Sequence, residues 1–224
     1  MHVLVVDTAT PAVTAALVEI GDPDVTVRST RVTVNPRAHS ELLTPAIQEI
    51  FAETGIGPGA LAAVVAGVGP GPYTGLRVGL VTAAAFTHAL SIPGYGVCSL
   101  DGIGAAVPKP GRAVAATDAR RREIYWRVYE SGVPITEPAV DQPAAAAEHL
   151  SRLEVQQGYG DGAIQHAEAL RIPVSDQLRF PDPAALARVA ADRVRATAPN
   201  EVLTPLYLRR PDAALPGVRK KVLR

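Results

Sequence analysis

The segment Gly67-Val68-Gly69-Pro70-Gly71-Pro72-Tyr73-Thr74-Gly75-Leu76-Arg77-Val78-Gly79 is the least ordinary stretch of this 224-residue chain. It follows a β-branched run and opens a helical one. Its glycines let backbone N–H groups approach a ligand or a neighbouring element, and a helix N-terminus favours anions. Two nucleotide motifs test that chemistry. A P-loop requires Gly-Lys-Ser/Thr, and no lysine is near; a dinucleotide fingerprint starting at Gly69 requires glycine at position 74, which is Thr74. Both fail. Nothing in the segment supplies a base, a nucleophile or a metal ligand, so it reads as a rigid strand-to-helix turn in which Gly69, Gly71 and Gly75 are structural.

Asp7-Thr8-Ala9-Thr10 has two readings. The aspartate and hydroxyls suit a phosphate or Mg²⁺, and they equally suit a hairpin whose side chains bond nearby amides. Asp118 stands in a matching place further on, and it carries the same two readings. The histidines are His2, His39, His88, His149 and His166, and no pair has the i, i+4 spacing that puts two metal ligands on one helix face. No metal site is expected. His39-Ser40-Glu41 falls at a helix start, where Ser40 or Asn35 is expected to cap and Glu41 to face the helix dipole. No Gly-x-Ser-x-Gly is present, and the single Cys98 has no histidine near it in sequence. One cysteine also excludes a disulfide framework.

These residues must be positioned by a repeating order of elements. Val3 to Val6, Val13 to Ile20 and Val25 to Thr33 read as a three-strand meander. A helix follows from His39 to Glu53, then a strand from Leu61 to Val68, a helix from Gly75 to Leu90 and a strand from Tyr95 to Cys98. The second half begins again with strands at Ala113 to Thr117, Ile124 to Tyr129 and Val133 to Thr136. It continues with a helix from Pro143 to Leu150, a strand from Val155 to Tyr159, and helices from Ala163 to Leu170 and Pro183 to Ala196. Two βββαβα halves, each with an aspartate in its first hairpin, have the layout of the actin-like ATPase (ASKHA) fold. The expected division is 1–100 and 101–224, with the C-terminal segment packing back on the first half.

The helix from Gly75 carries one charge, Arg77, and is apolar in nearly every direction, so it must be covered on more than one side. Together with the broad apolar face of the His39 helix, it predicts a protein interface. The expected contact residues are His39, Leu42, Leu43, Ala46, Ile47, Leu76, Leu80, Ala83, Ala84 and Thr87. Charge adds a restriction: 22 basic residues balance 22 acidic ones. A protein that holds nucleic acid unaided normally carries a large positive field. The tail from Leu208, with Arg209, Arg210, Arg219, Lys220, Lys221 and Arg224, is a solvated tail or a source of weak phosphate contacts. Neither a signal peptide nor a membrane-spanning run is read in the chain, which predicts a cytoplasmic protein.

Val3-Leu4-Val5-Val6-Asp7-Thr8-Ala9-Thr10, Arg37-Ala38-His39-Ser40-Glu41-Leu42-Leu43-x-Pro45 and Gly69 through Gly79 resemble the bacterial TsaB (YeaZ) family in order and spacing. Asp118-Ala119-Arg120 with Glu123-Ile124-Tyr125, and Tyr207-Leu208-Arg209, extend the likeness; from about Pro138 to Asp182 it is faint. The resemblance implies the ASKHA fold and a role in making N6-threonylcarbamoyladenosine at position 37 of tRNAs that read ANN codons. It also implies work beside the transferase TsaD and the ATPase TsaE, cofactor-free, with tRNA met only through the complex and a homodimer formed in isolation. In TsaD the corresponding strand runs into Val-Asn-His-Leu-Glu-Gly-His, whose histidines bind a metal. Here the stretch is Val97-Cys98-Ser99-Leu100-Asp101-Gly102-Ile103, and isoleucine cannot coordinate a metal. The resemblance therefore implies a non-catalytic scaffold in which Asp7, Thr8, Thr10 and Asp118 are what remains of nucleotide loops. Two rival readings are an ASKHA enzyme that hydrolyses nucleotide or transfers a carbamoyl group, with Asp7 and Asp118 holding Mg-ATP, and a glycoprotease-like peptidase.

Overall fold

The computed structural model describes residues 1–108 and 110–209. Strands β1 (His2–Asp7), β2 (Ala12–Ile20) and β3 (Val25–Val34) form an antiparallel meander. β4 (Leu61–Gly67) joins β1 in parallel, and β5 (Gly94–Val97) joins β4, giving the order β3-β2-β1-β4-β5. The unbroken apolar run of β1 follows from burial on both faces. Leu4 and Val6 enter a core with Leu43, Ile47, Ile50, Leu76, Leu80 and Ala83 of α1 (His39–Thr54) and α2 (Tyr73–Leu90). Val3 and Val5 point the other way, onto Leu186, Ala187, Ala190 and Val194 of the C-terminal helix Pro183–Arg195. A line drawn at residue 100 separates the two sheets, but the layer that covers the first sheet's second face comes from beyond it.

The second sheet repeats the path. After the short α3 (Asp101–Gly104), β6 (Arg112–Asp118) pairs antiparallel with β7 (Ile124–Glu130). The third-strand place is shared by β8 (Val133–Pro134) and β9 (Ala139–Asp141), which pair with the two ends of β7. Between them the Thr136 hydroxyl accepts the Val128 N–H at 3.0 Å and the Thr136 carbonyl accepts Arg127 Nε at 2.8 Å. A side chain thus stands in for the ladder, which ends the strand expected to reach Thr136 at Pro134. After α4 (Pro143–Arg152), β10 (Gln157–Tyr159) joins β6 in parallel, as β4 joins β1. The fifth place is reduced to a single parallel bridge from Gly158 to Val174. The helix expected over Ala163 to Leu170 is two short ones, α5 (Asp161–Gln165) and α6 (Ala167–Leu170), broken at His166; the helix Pro183–Arg195 is α7.

From Ala198 the chain runs back along the first sheet. Gly94 N–H donates to Asn200 Oδ1 at 2.9 Å, Gly96 N–H to Glu201 Oε2 at 3.0 Å, and Leu206 N–H to the Val68 carbonyl at 2.7 Å. Among the described residues no helix is long and apolar enough to cross a membrane.

Candidate functional site

The two sheets meet at a cleft of about 450 Å³. Its first wall is the β1–β2 turn (Thr8, Thr10), the β3–α1 loop (Arg37) and the α2 N-terminus (Tyr73 to Gly75). Its second wall is the β6–β7 turn (Asp118, Ala119, Arg120) with Tyr125, and Arg209 closes one end.

The β1–β2 turn is held by α2 rather than open to a ligand. Thr8 Oγ1 donates to the Gly75 carbonyl at 2.7 Å and accepts the Gly79 N–H at 2.9 Å. A Cβ on Gly71 would lie 2.1 Å from the Ala9 carbonyl oxygen, and one on Gly79 2.6 Å from Thr8 Oγ1. The glycines at 71, 75 and 79 therefore let the first turns of α2 press on the hairpin, while Gly69 takes φ +96°, which a side chain would strain. The segment touches protein rather than cradling phosphate.

Asp7 does not face the cleft. It is 1% exposed, accepts the Ala9 N–H at 3.0 Å through Oδ1, and accepts the Ser99 hydroxyl at 2.5 Å through Oδ2; Ser99 Oγ in turn accepts the Gly69 N–H at 3.2 Å. Burial pushes the Asp7 pKa up to about 6, against the lowering effect of those hydrogen bonds and of His39. A Mg-ATP held between Asp7 and Asp118 does not fit this geometry, because Asp7 is turned into the core and the Thr8 hydroxyl is committed to α2. Thr8 and Thr10 line the cleft, with the Thr10 carbonyl taking His39 Nε2 at 2.8 Å. His39 thus ties α1 to the hairpin. Neither expected cap forms: α1 begins after Ala38 with no side-chain cap, Asn35 Oδ1 instead takes the Arg37 N–H at 3.1 Å, and Ser40 faces the cleft.

Asp118 does face the cleft, and its Oδ1 accepts the Arg120 N–H at 3.0 Å. Behind it lies Asp161, which the sequence reading missed. Asp161 is 1% exposed, and neither carboxylate oxygen has a hydrogen-bond partner among the described residues. Burial and the Asp118 charge push its pKa up to about 6. The Asp118 and Gly162 amides moderate the rise, although neither closes a hydrogen bond of ordinary geometry. The signal that marks it is Gly160-Asp161-Gly162 directly after β10, where Gly67-Val68-Gly69 leads out of the last residue of β4.

A clasp joins the two walls. Arg209 pairs with Glu123 and donates to the Ala119 carbonyl at 3.0 Å, the Tyr73 hydroxyl donates to the Arg209 carbonyl at 2.7 Å, and the Tyr207 ring packs at a tilt of 43° with its centroid 4.5 Å from that of Tyr73. The rest of the expected basic tail, from Arg210 to Arg224, lies outside the described residues.

The expected interface divides. Leu43, Ile47, Leu76, Leu80 and Ala83 are at most 6% exposed and His39 is 9% exposed. They are removed from any outer surface because they hold α1 and α2 to the sheet. Ala84 is exposed, and Leu42, Ala46 and Thr87 are half-buried. The outer stripe of α2 also includes Val81, 68% exposed, and Ala85, which the expected set omitted.

The family model described as "TsaD: tRNA N6-adenosine threonylcarbamoyltransferase" matches residues 32–187. The Escherichia coli (strain K12) "tRNA threonylcarbamoyladenosine biosynthesis protein TsaB" is 35% identical over 133 residues, covering 58% of this chain and 55% of its own length. The structure titled "YeaZ from Pseudomonas aeruginosa" superposes with a TM-score of 0.77 at 25% identity, covering 92% of this chain and 99% of its own. The chain belongs to the TsaB (YeaZ) family. An uncharacterized protein of Mycobacterium tuberculosis (strain H37Rv) is 47% identical over 211 residues, 94% of this chain and 93% of that one.

The fold is that of the actin-like ATPases, with the TsaB pattern of motifs set around its cleft. Within that family framework the stretch Val97 to Ile103 is occupied in full. Ser99 is 1% exposed and bonded to Asp7, and Ile103 is fully buried against Tyr129 and Leu100. Burial, with the Asp101 charge beside it, pushes the Cys98 thiol up to about 12, which works against thiolate formation. Asp101 pairs with Arg127 at 2.9 Å and accepts the Tyr129 hydroxyl at 2.7 Å, a closed network beneath β7. Among the described residues no group of three His, Cys, Asp or Glu side chains is placed to hold a metal ion.

Proposed function

We propose that this chain is a non-catalytic subunit of the machinery that makes N6-threonylcarbamoyladenosine on tRNA, and that it binds and supports the transferase TsaD together with TsaE. The observation that carries this reading is the filling of the transferase-like stretch. Where the resemblance calls for two metal-binding histidines, Ser99 Oγ is engaged by Asp7 and Gly69, and Ile103 is sealed in an apolar core. A group bonded on both sides in the interior cannot also take a ligand without breaking that network. The names of the relatives, tRNA threonylcarbamoyladenosine biosynthesis proteins, support the pathway.

The partner surface is the outer face of α1 and α2: Leu42, Ala46, Ala84 and Thr87, extended by Val81 and Ala85. An exposed valine amid exposed alanines, on a helix whose other side is already buried, is apolar surface that a second helical pair would cover. A homodimer through the same face is expected when the transferase is absent, because an isologous contact uses one patch twice. Reconstitution with the transferase, TsaE, the synthase that makes threonylcarbamoyl-AMP, and tRNA tests the reading: modification should fail when this chain is omitted. Ala84→Glu should abolish association in sedimentation velocity with the fold intact. Full modification without the chain would overturn the role, and unchanged association would overturn the surface.

The rival nucleotide-hydrolysing enzyme draws on one observation, a cleft lined by Thr8, Thr10, Asp118 and Arg120. Tight Mg-ATP binding with turnover by the isolated chain, read by calorimetry and phosphate release, would favour it.

A further inference from the structure

The arginines at the cleft mouth have no part in that reading. Arg120, Arg121 and Arg122 follow one another in the β6–β7 turn with φ of 60°, 53° and 61°, and all three are exposed. The left-handed region costs a residue with a Cβ about 1 kcal/mol or more, so a run of three needs a local cause. Part of that cause is the turn's own bonding: Ala119 N–H to the Glu123 carbonyl at 2.9 Å, and Glu123 N–H to the Arg120 carbonyl at 3.0 Å. That bonding sets the backbone and leaves the choice of arginine unexplained.

The charge pattern supplies the rest. Several surface arginines elsewhere are matched, Arg28 with Glu19, Arg31 with Glu49 and Glu53, Arg112 with Glu130 and Arg193 with Glu201, whereas Arg77, Arg152, Arg171 and Arg179 are scattered cations with no carboxylate partner among the described residues. Among the described residues the guanidinium groups of Arg120 and Arg122 have no carboxylate partner, and across the cleft Arg37 has none. The two acids beside them are already engaged, Asp118 with the Arg120 amide and Glu123 with Arg209. Unmatched positive charge thus stands on both lips of one opening, with Arg37 and Arg120 lining it and Arg122 two positions further along the same exposed turn. Guanidinium groups are weakly hydrated and fork-shaped, and they suit phosphate oxygens.

We propose that Arg37, Arg120 and Arg122 form a rim that contacts the sugar-phosphate backbone of the tRNA substrate when this subunit is in its complex. The proposal rests on the role given above and adds direct contact to it. Such contacts position an RNA without reading its sequence. The remaining affinity comes from other subunits, which is consistent with the neutral charge of this one.

The test uses the reconstituted complex and fluorescently labelled tRNA, titrated by anisotropy across a salt series. The variant combines Arg37→Ala, Arg120→Gly and Arg122→Gly, since glycine at a left-handed position removes charge without straining the turn. Losing three phosphate contacts should weaken binding about tenfold or more and lower the slope of log Kd against log salt by about 2 to 3. Arg120→Lys with Arg122→Lys should keep most of the affinity. Sedimentation of the variant with the transferase should be unchanged. Unaltered affinity and slope in a normally assembled complex would overturn the proposal. So would loss of assembly with tRNA affinity intact, which would assign the rim to an acidic protein surface. Loss of Mg-ATP binding alone would assign it to a free nucleotide and overturn it as well. A wild-type chain that never assembles with the transferase would refute the functional role instead, and the same titration on the chain by itself would then decide the rim.

Discussion

In the β1–β2 hairpin Thr8, Ala9 and Thr10 are buried beneath α2, whereas the matching β6–β7 hairpin leaves Arg120, Arg121 and Arg122 in solvent. Both turns end a first strand on an aspartate. Asp7 has two hydrogen bonds and no access to the cleft, while Asp118 lines it. The difference arises in the element that follows the fourth strand. After β4 the chain enters an 18-residue helix whose glycines press it onto the hairpin; after β10 it enters the five-residue α5, whose Gly162 meets Thr117 and Asp118 at the end of β6 and leaves the turn residues 120–122 exposed. A duplicated framework has thus used one copy for rigidity and kept the other open, and the same motif position does not carry the same job.

The largest expected effect comes from breaking the sealed side. Gly71→Ala puts a methyl group 2.1 Å from the Ala9 carbonyl oxygen, backbone against backbone, so the hairpin or α2 must move. The expected loss is about 3 kcal/mol, the upper part of the range for overpacking, read as a lower urea midpoint at unchanged slope. Wild-type stability would show that α2 is not clamped on the turn.

Asp161→Asn probes the open side. The folded pKa of Asp161, about 6, lies above its unfolded value, so the folded state holds the proton more tightly. Its contribution is fully present below about pH 4 and is lost as pH rises through 6, which leaves a buried, unpartnered carboxylate at neutral pH. Asparagine should then stabilise the protein by about 2 kcal/mol at pH 7.5 and change little near pH 4. Asp7 is raised to about 6 as well, so Asp7→Asn should show a pH slope of the same sign but displaced towards lower stability, because the Asp7 oxygens are engaged by Ala9 and Ser99 where those of Asp161 have no partner. Equal stability of the two variants at every pH would erase the contrast between the hairpins.

Arg209→Ala opens the clasp between the walls. The Arg209–Glu123 pair is partly buried, with side chains 20% and 29% exposed, and one further bond reaches the Ala119 carbonyl. A loss of about 1 kcal/mol is expected, with Glu123→Gln adding little to it in a double-mutant cycle. Full additivity would mean that the pair does not join the two sides.

The strands of the first sheet were legible because burial on both faces demands a β-branched run, and Val3 to Val6 is one. The division of α2 was not. Its inner residues Leu76, Leu80 and Ala83 and its outer residues Val81, Ala84 and Ala85 are all apolar, so composition marks no boundary between core and surface, and six of the ten expected contact residues fell inside. The split third strand depends on one hydroxyl, Thr136, replacing a ladder bond. Asp161 was hidden for a different reason: its burial is set by β6, some 43 positions earlier in the chain, and only a strand-by-strand comparison of the halves points to it. The allegiance of α7 to the first sheet is likewise a tertiary fact that no local pattern encodes.

The smallest expected effect on stability is the most informative about the open hairpin. If Arg120 and Arg122 are present for their charge, the turn should not need their side chains. At φ of 61°, Arg122→Gly relieves a left-handed residue of its Cβ while loosening the unfolded chain, two opposed contributions of similar size. The net change should lie within about 0.5 kcal/mol by urea denaturation, against about 3 kcal/mol for the methyl group added at Gly71. A loss of about 2 kcal/mol or more would mean that Arg122 makes a structural contact, and the arginine turn would then resemble the sealed hairpin rather than contrast with it.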